Sequence, residues 1–242
     1  MVNEYRKQFI VTQYECDFNS CLKVGDLMRH VQQISTDHCD SLGIDEKRYR
    51  ETHTAFLMAK VSVELYEKIP VHSQLTMVTR PSQPVRAVYH RYTSIYNQEE
   101  KEVAAVDSRW ILVDTQTKKI LRRAPETLNL PFMAMPYKEH EMEIQKCTEA
   151  QTVGRERATY SRTDLNRHMN NTVYADILCD YLPPELLEQH RIKKLVVNYH
   201  KEILQGEEVE ILLHQWEETP LIFYGCGQAS EKTCFEAQIT LE

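Results

Sequence analysis

The densest group of residues able to do acid–base chemistry lies just before a predicted helix in the second half of the chain. Asp164, Asn166 and His168 alternate there, so in an extended stretch their side chains share one face. A carboxylate, an amide and an imidazole held together can orient water and polarise a carbonyl group. This spacing indicates a hydrolytic site. It is also compatible with Asp164 and Asn166 as turn residues and His168 bonded to a carbonyl oxygen.

Two asparagines, Asn170 and Asn171, follow this group and can cap the helix that comes next. Free backbone amides at a helix N-terminus can stabilise the oxyanion that forms when a carbonyl group is attacked. We therefore expect the amides near these two residues to complete the site.

A second carboxylate, Glu202, interrupts the apolar alternation of a strand predicted from Leu195 to Ile203. A charge that faces the interior needs a partner or a function, because its burial is costly. Glu202 is therefore either part of the site or a solvent-facing glutamate at the end of a strand, and the spacing leaves both open.

Motifs for several other kinds of chemistry are missing from the sequence. There is no Walker A motif, no G-x-S-x-G and no H-E-x-x-H, and the G-x-G at residues 225–227 lacks the third glycine of a dinucleotide site. The seven cysteines form no C-x-x-C pair, which argues against a disulfide framework and a structural zinc site. We expect no metal and no cofactor.

The composition is that of an acidic globular protein. The 242 residues carry 29 Lys and Arg against 36 Asp and Glu, a net charge of −7, so a nucleic-acid partner is not expected. No uncharged apolar run approaches the roughly 20 residues of a membrane helix. The N-terminus also lacks the apolar segment of a signal peptide. We predict a cytoplasmic protein without membrane insertion.

Apolar periodicity predicts two helices of different length. The first spans Leu22 to Leu42, and Gly43 marks its end. The second carries an apolar stripe from Tyr174 to Tyr181 and stops at the prolines 183 and 184, because proline lacks the amide donor and restricts the residue before it.

Strands with alternating apolar residues follow each helix. They are predicted at 56–65, 74–80, 85–97 and 103–114 in the first half, and at 194–202, 208–215, 221–228 and 234–241 in the second. A helix packed on an antiparallel sheet, repeated twice, is an α+β architecture. Edge-to-edge pairing of the two sheets would cover exposed strand edges.

The two halves also align with each other. Residues 59–69 match residues 193–203 at an offset of 134, and Asp17 and Asn19 match Asp164 and Asn166 at an offset of 147. We interpret this as an internal duplication in which the first half carries 13 extra residues between helix and sheet. The reactive residues are not duplicated, because Cys21 corresponds to His168 and Lys68 corresponds to Glu202.

Residues 160–183, with D-L-N-R-H-M-N-N-T-V-Y at 164–174, resemble the active-site motif of the acyl-acyl carrier protein thioesterases. This plant and bacterial family releases fatty acids from acyl carrier protein. Residues 197–202, V-N-Y-H-K-E, resemble the strand that follows the motif. In the first half, residues 9–14, 22–43 and 108–125 resemble the opening segment, the long helix and the closing strand of the family.

The resemblance implies a tandem (double) hotdog fold, with two long helices each packed on a curved antiparallel sheet. It implies an N-terminal repeat at 1–135 that binds the acyl chain, a linker at 136–152 and a C-terminal repeat at 153–242 that carries the catalytic residues. Those catalytic residues are Asp164, Asn166, His168 and Glu202. Plant members have Cys after the glutamate, where this chain has Ile203. A thiol nucleophile at this position is therefore not expected, and we expect attack by water.

The first repeat, freed from catalysis, is expected to line the acyl tunnel. The candidate contacts are Val31, Ile34, His38, Phe56 and Met58, which also fit a simple core role. The implied partner is acyl carrier protein with a phosphopantetheine-linked acyl chain. Because that partner is acidic, three basic groups are candidate docking surfaces: Arg80, Arg86 and Arg91; Lys118, Lys119, Arg122 and Arg123; and Arg191, Lys193 and Lys194.

The implied function is hydrolysis of fatty acyl-acyl carrier protein to free fatty acid and holo-acyl carrier protein, which terminates fatty acid synthesis. Water would attack with assistance from a carboxylate and His168. Two alternatives stay open, an acyl-CoA thioesterase of the same fold and a non-catalytic protein that binds acyl thioesters. Both a monomer and a homodimer fit the sequence.

Overall fold

The computed structural model describes residues 4–128, Phe132 and residues 139–242. In this part of the chain, ten strands form one antiparallel sheet in the order β1-β3-β4-β5-β2-β7-β10-β9-β8-β6. The strands are β1 (Tyr5–Ile10), β2 (Thr54–Leu65), β3 (Gln74–Val85), β4 (Val88–Tyr96), β5 (Glu102–Asp114), β6 (Gln151–Arg157), β7 (Ile192–Tyr199), β8 (Glu208–Trp216), β9 (Thr219–Ala229) and β10 (Lys232–Leu241).

The helices are α1 (Val24–Ser41), α2 (Glu46–Thr52), α3 (Val173–Asp180) and α4 (Pro184–Gln189). The first half has the expected long helix, but α3 has only eight residues against 18 in α1. The prolines after α3 explain the difference, because neither can extend an α-helix at that point. Within the described residues, no helix combines the length and apolar character that a membrane span requires.

All eight predicted strands are present, and two further strands escaped prediction. Those two, β1 and β6, lie at opposite edges of the sheet and pair on one side only, with β3 and β8 respectively. Edge strands are largely exposed, so their sequences need not alternate between apolar and polar residues. The predicted extent of one strand is wrong, because β7 ends at Tyr199 and Glu202 lies in the connection that follows.

The two halves meet through β2 and β7, which pair antiparallel from Lys60 with Asn198 to Glu64 with Lys194. The central pair, Ser62 with Val196, consists of residues that correspond in the two repeats at the offset of 134. Strand order is likewise mirrored about this pair, so an approximate two-fold axis passes through it. The predicted edge-to-edge joining of two helix-and-sheet repeats is therefore confirmed.

One apolar core fills the space between the helices and the sheet in both repeats. Buried residues from α1 and α3, such as Leu27 and Leu178, belong to the same cluster as Val61 and Leu195 in the central strands. Burying the apolar stripes of both helices on one continuous sheet ties the two repeats into a single hydrophobic unit.

A segment after the first repeat crosses the opposite face of the sheet. The His140 amide donates to Asp107 Oδ2 at 3.2 Å, and the Gln145 amide donates to Gln238 Oε1 of β10 at 2.9 Å. Asp107 is fully buried beneath this segment and also accepts a hydrogen bond from Arg109 at 2.8 Å. Burial raises the pKa of Asp107 to about 6, although Arg109 and the His140 amide favour its ionised form.

This buried carboxyl predicts a measurable pH dependence of stability. Because the pKa of Asp107 is raised in the folded state, its contribution to the free energy of unfolding is greatest below pH ~4. This contribution is lost as the pH rises to about 6. The pKa change corresponds to a decrease in the free energy of unfolding on the order of 3 kcal/mol. Urea unfolding of wild type and Asp107→Asn should therefore give free energies of unfolding whose difference changes over this range.

The matched control is Glu143→Gln, an exposed carboxyl in the crossing segment. The difference in free energy of unfolding between this variant and wild type should stay constant between pH 4 and 6. An equally flat difference for Asp107→Asn would contradict the assignment of a raised pKa to this residue.

Candidate active site

The predicted Asp164–Asn166–His168 group lies on a tight turn instead of an extended stretch. The Asp164 amide donates to His168 O at 2.9 Å, and the Arg167 amide donates to Asp164 O at 3.0 Å. Arg167 has a positive φ of 62°, which closes the turn. The prediction that the three side chains share one face through strand alternation is therefore wrong, because a turn does not alternate.

Asp164 holds this turn together through its side chain. Its Oδ1 accepts hydrogen bonds from the amides of Asn166 at 2.8 Å and His168 at 3.3 Å. Asparagine and aspartate are favoured in such turns because the carboxylate or amide oxygen replaces a backbone acceptor. Asn166 is exposed, and its side chain makes no hydrogen bond to any other described residue.

His168 and Glu202 come together at the open side of the turn. Nδ1 of His168 lies 3.4 Å from Oε1 of Glu202. The backbone fixes this approach, because the Met169 amide donates to Ile203 O at 2.8 Å and the Gln205 amide donates to Arg167 O at 2.9 Å. The Glu202 side chain is 46 % exposed, so it does not face the apolar interior.

The N-terminus of α3 begins directly after the turn; its N-cap residue is Thr172, which makes no side-chain cap hydrogen bond, and Asn170 lies two residues before it. The Asn170 side-chain oxygen accepts from the Thr172 amide at 2.9 Å, and its carbonyl accepts from the Val173 amide at 2.9 Å. The Asn170 amide is itself bonded to Arg162 O. Among the described residues, no hydrogen bond engages the Asn171 amide.

Two tyrosines, Tyr199 and Tyr174, pack against each other beside the N-terminus of α3. The Tyr199 hydroxyl donates to Asn171 O at 2.9 Å, and its ring contacts Tyr174 edge-to-face with the centroids 5.4 Å apart. Burial raises the pKa of Tyr199 well above its ordinary value, which keeps the hydroxyl a donor. Sequence reasoning missed this positioning role. A tyrosine at the end of the predicted strand, three residues before Glu202, was the available signal.

The position after Glu202 carries an isoleucine that packs into the core. Ile203 is completely buried in the apolar core, and its carbonyl oxygen bonds the Met169 amide. Its side chain therefore faces away from the surface on which His168 and Glu202 meet.

The first repeat contains the same turn without the same reactive groups. Asp17 Oδ1 accepts from the Asn19 amide at 2.9 Å and the Cys21 amide at 3.0 Å, and Ser20 has a φ of 58°. The Leu22 amide donates to Ile69 O, as Met169 does to Ile203. The duplication therefore preserves the backbone hydrogen bonds, while His168 and Glu202 are replaced by Cys21 and Lys68.

The candidate acyl contacts fall into three places. Val31 and Ile34 are buried in the main core, whereas Met58 is half-buried on β2 beyond the last pair with β7. Phe56 lies farther along β2 in a smaller apolar cluster and contacts Tyr89 edge-to-face at 5.1 Å.

His38 lies near the C-terminal end of α1, where it meets a basic residue. Its Nδ1 is 3.1 Å from Nη1 of Arg91, and burial together with Arg91 lowers the pKa of His38 to about 4. Arg91 also donates to Thr79 at 3.2 Å. The expectation that Arg91 contributes to a docking surface is wrong, because its guanidinium packs inside the first repeat.

Two family models match consecutive parts of the chain. Residues 2–130 match the acyl-ACP thioesterase N-terminal domain, and residues 145–241 match the acyl-ACP thioesterase C-terminal domain. Among curated proteins, the chain is 22% identical over 233 residues to oleoyl-acyl carrier protein thioesterase 2, chloroplastic, of Arabidopsis thaliana. That match covers 86% of this chain and 62% of the relative, so the chain spans less than two thirds of that relative's length.

Solved structures show the same fold over the whole chain. An acyl-ACP thioesterase from Bacteroides thetaiotaomicron superimposes with a TM-score of 0.88 at 20% identity, covering 99% of this chain and 98% of the other. The 12:0-ACP thioesterase from Umbellularia californica gives a TM-score of 0.89 at 14% identity, covering 100% and 98%. The tandem hotdog architecture is therefore confirmed.

The repeated turn predicts the same structural role for two aspartates. Asp164→Ala and Asp17→Ala should each lower the free energy of unfolding by about 1–2 kcal/mol, because two backbone amides lose their acceptor. Asn at either position keeps an acceptor oxygen and should cost much less. Chemical denaturation of the four variants measures these differences. Equal costs for Ala and Asn at position 164 would contradict the turn-holding role.

Proposed function

The chain belongs to the acyl-ACP thioesterase family, and on that premise we propose that it hydrolyses fatty acyl-acyl carrier protein to a free fatty acid and the carrier-protein thiol. The observation that carries the proposal is the approach of His168 to Glu202, 3.4 Å apart beside the N-terminus of α3. An imidazole and a carboxylate at this distance can share the removal of a proton from water.

Glu202, assisted by His168, is the proposed base. Asp164 is less suited to that role because its Oδ1 is committed to two amides of the turn. Glu202 and His168 are both accessible, so a water molecule can reach them without rearrangement of the core. Asn166 stands at the exposed tip of the turn, where its amide can contact the thioester or the pantetheine arm of the substrate.

The proposed reaction balances without a cofactor. The oxygen of water bonds to the thioester carbonyl carbon while its proton passes to the Glu202–His168 pair. The Asn171 amide donates to the resulting oxyanion. When the intermediate collapses, the carbon–sulfur bond breaks and the sulfur takes a proton, which yields the fatty acid and the thiol.

A basic surface after β5 is the proposed docking site for the acidic carrier protein. Lys118, Lys119, Arg122 and Arg123 are exposed and form no ion pair with any residue that the structure describes, and Ile120 between them is 54% exposed. By contrast, Arg80 is paired with Glu4, and Lys193 and Lys194 are paired with Glu242 and Glu64.

The position of this surface fits a partner that must reach the active site. Asp114, which precedes the basic run, pairs with Thr54 at the start of β2. The same end of the sheet holds the end of β7, after which Glu202 follows, because Lys60 of β2 pairs with Asn198. An acyl carrier protein held by Lys118–Arg123 therefore lies on the active-site side of the molecule. The cytoplasmic location and the monomer or homodimer expected from the sequence stay predictions.

Loss of either member of the pair should remove most of the activity. Glu202→Gln and His168→Ala should each lower kcat by about 10²–10⁴-fold, because general-base assistance is worth that range. Thiol release from acyl-acyl carrier protein measures the effect, and circular dichroism checks the fold. Glu188→Gln and His214→Ala, which are remote from the turn in sequence and strand position, should retain normal turnover. Near-normal turnover in Glu202→Gln would remove this carboxylate from the mechanism.

The substrate class is tested with matched acyl-carrier-protein and acyl-CoA thioesters over a range of chain lengths. Faster turnover of the carrier-protein series, abolished in Glu202→Ala, supports the proposal. Preference for the CoA series would indicate an acyl-CoA thioesterase. Tight binding without turnover in either series would indicate a non-catalytic acyl-thioester-binding protein and would overturn the proposed hydrolysis.

Charge reversal of the basic surface should affect only the carrier-protein substrate. With all four of its basic residues changed to Glu, KM for acyl-acyl carrier protein should rise by about tenfold or more while kcat at saturation is retained. KM for acyl-CoA should change little. Lys193→Glu with Lys194→Glu reverses the rival surface and serves as the control. A larger effect in that control would place docking at the other end of β7.

A further inference from the structure

A cavity of ≈ 490 Å³ lies at the first-repeat counterpart of the active site. It is bounded by the turn of Asp17 to Cys21, by Lys68, and by α3 and α4 of the second repeat. Cavities of this size are typical of small-molecule sites. From its lining and charges, we propose that it binds a long-chain carboxylate without hydrolysing any substrate.

The cavity wall suits a hydrocarbon chain. Aliphatic side chains from both repeats contribute to it, among them Leu22, Leu65, Ile69, Leu182, Leu187 and Ile192. Each methylene transferred from water to such a surface contributes favourably to binding through the hydrophobic effect. A hydrogen bond holds two walls of the cavity together, because the Asn19 side chain donates to Leu187 O at 2.7 Å and so joins the turn to α4.

The polar end of the cavity favours an anion. Lys68 occupies the position that Glu202 has in the second repeat, and it forms no ion pair with the described residues. Burial and Asp17 raise the pKa of the neighbouring Cys21 thiol, and the charge of Lys68 opposes this rise. A carboxylate that Glu202 would repel in the active site would therefore be attracted to Lys68 in the equivalent place.

The other charges of the lining are already engaged or disfavoured. Glu67 pairs with Lys101 and Asp176 pairs with Arg29, while Lys23 lies 3.0 Å from Asp26. Arg191 donates to backbone carbonyl oxygens of residues 65 and 66 and to the last residue of the chain.

Two acidic groups remain in the lining. Asp17 accepts the two amides of its turn. Partial burial and the nearby acids Asp176 and Glu156 raise the pKa of Asp180, which disfavours its charged form. Among the lysines and arginines of the lining, Lys68 is therefore the one without an ion pair to the described residues.

This site cannot repeat the proposed hydrolysis. The imidazole and the carboxylate of the second repeat are replaced by Cys21 and Lys68, and burial keeps the Cys21 thiol protonated by raising its pKa. A fatty acid is the product of the proposed hydrolysis, so its natural supply rests on that proposal. Binding of a fatty acid in the cavity does not depend on the proposed hydrolysis.

Cysteine protection tests the site without any turnover. Cys21 and Cys179 line the cavity, whereas Cys16 and Cys147 are similarly accessible and do not. The protein is alkylated with N-ethylmaleimide with and without dodecanoate, and each cysteine is followed by peptide mass spectrometry. We expect saturating dodecanoate to slow modification of Cys21 by about tenfold and to leave Cys16 and Cys147 unchanged.

Variants separate this site from the active site. Lys68→Glu should abolish the protection, Lys68→Arg should keep it, and Glu202→Gln should leave it intact. Dodecanol, which lacks the charge, should protect much less than dodecanoate. As a second readout, Leu187→Trp places an indole in the cavity, and its emission should shift with dodecanoate only when Lys68 is present. Unchanged Cys21 labelling together with an unshifted indole, or equal protection in Lys68→Glu, would overturn the proposal.

Discussion

The antiparallel pairing of β2 with β7 is the constraint on which the rest of the structure depends. It joins two five-strand halves into one sheet about an approximate two-fold axis, and it leaves only β1 and β6 as free edges among the described strands. On the helix side, the same axis passes between Arg29 and Asp176, which correspond in the two repeats and form an ion pair. A symmetric dimer of either repeat would place like charges there, so this contact is suited to a tandem chain.

The axis also explains why one molecule holds two similar turns with different chemistry. Both turns need an aspartate that accepts two amides and a residue of positive φ, and both retain them. Neither requirement involves the side chain at position 21 or 168. The side chains at those positions could therefore differ while the backbone remained the same, so a carboxylate–imidazole pair and a thiol–ammonium pair occupy equivalent places.

The repeats differ in a second way that bears on substrate binding. When the repeats are aligned, the 18 residues of α1 extend beyond the C-terminal end of α3. In addition, α2 lies between α1 and β2. The first repeat thereby gains a second apolar cluster around Phe56 and Tyr89, and a polar contact between His38 and Arg91. In the second repeat, α3 is followed instead by the prolines 183 and 184 and the short helix α4.

The sequence by itself determined the duplication, the α+β class, eight of the ten strands and the residues of the reactive cluster, because apolar periodicity and short motifs are local. It missed β1 and β6, since exposed edge strands carry little alternation. Only the tertiary structure decided what the cluster does. Asp164 became a turn-holding acceptor, Glu202 left the strand and met His168, and Tyr199 came to support α3. The turn of Asp164 is held by local hydrogen bonds, but the other two outcomes depend on hydrogen bonds between segments about 30 residues apart, those of Met169 with Ile203 and of Tyr199 with Asn171, and no local pattern encodes such pairings.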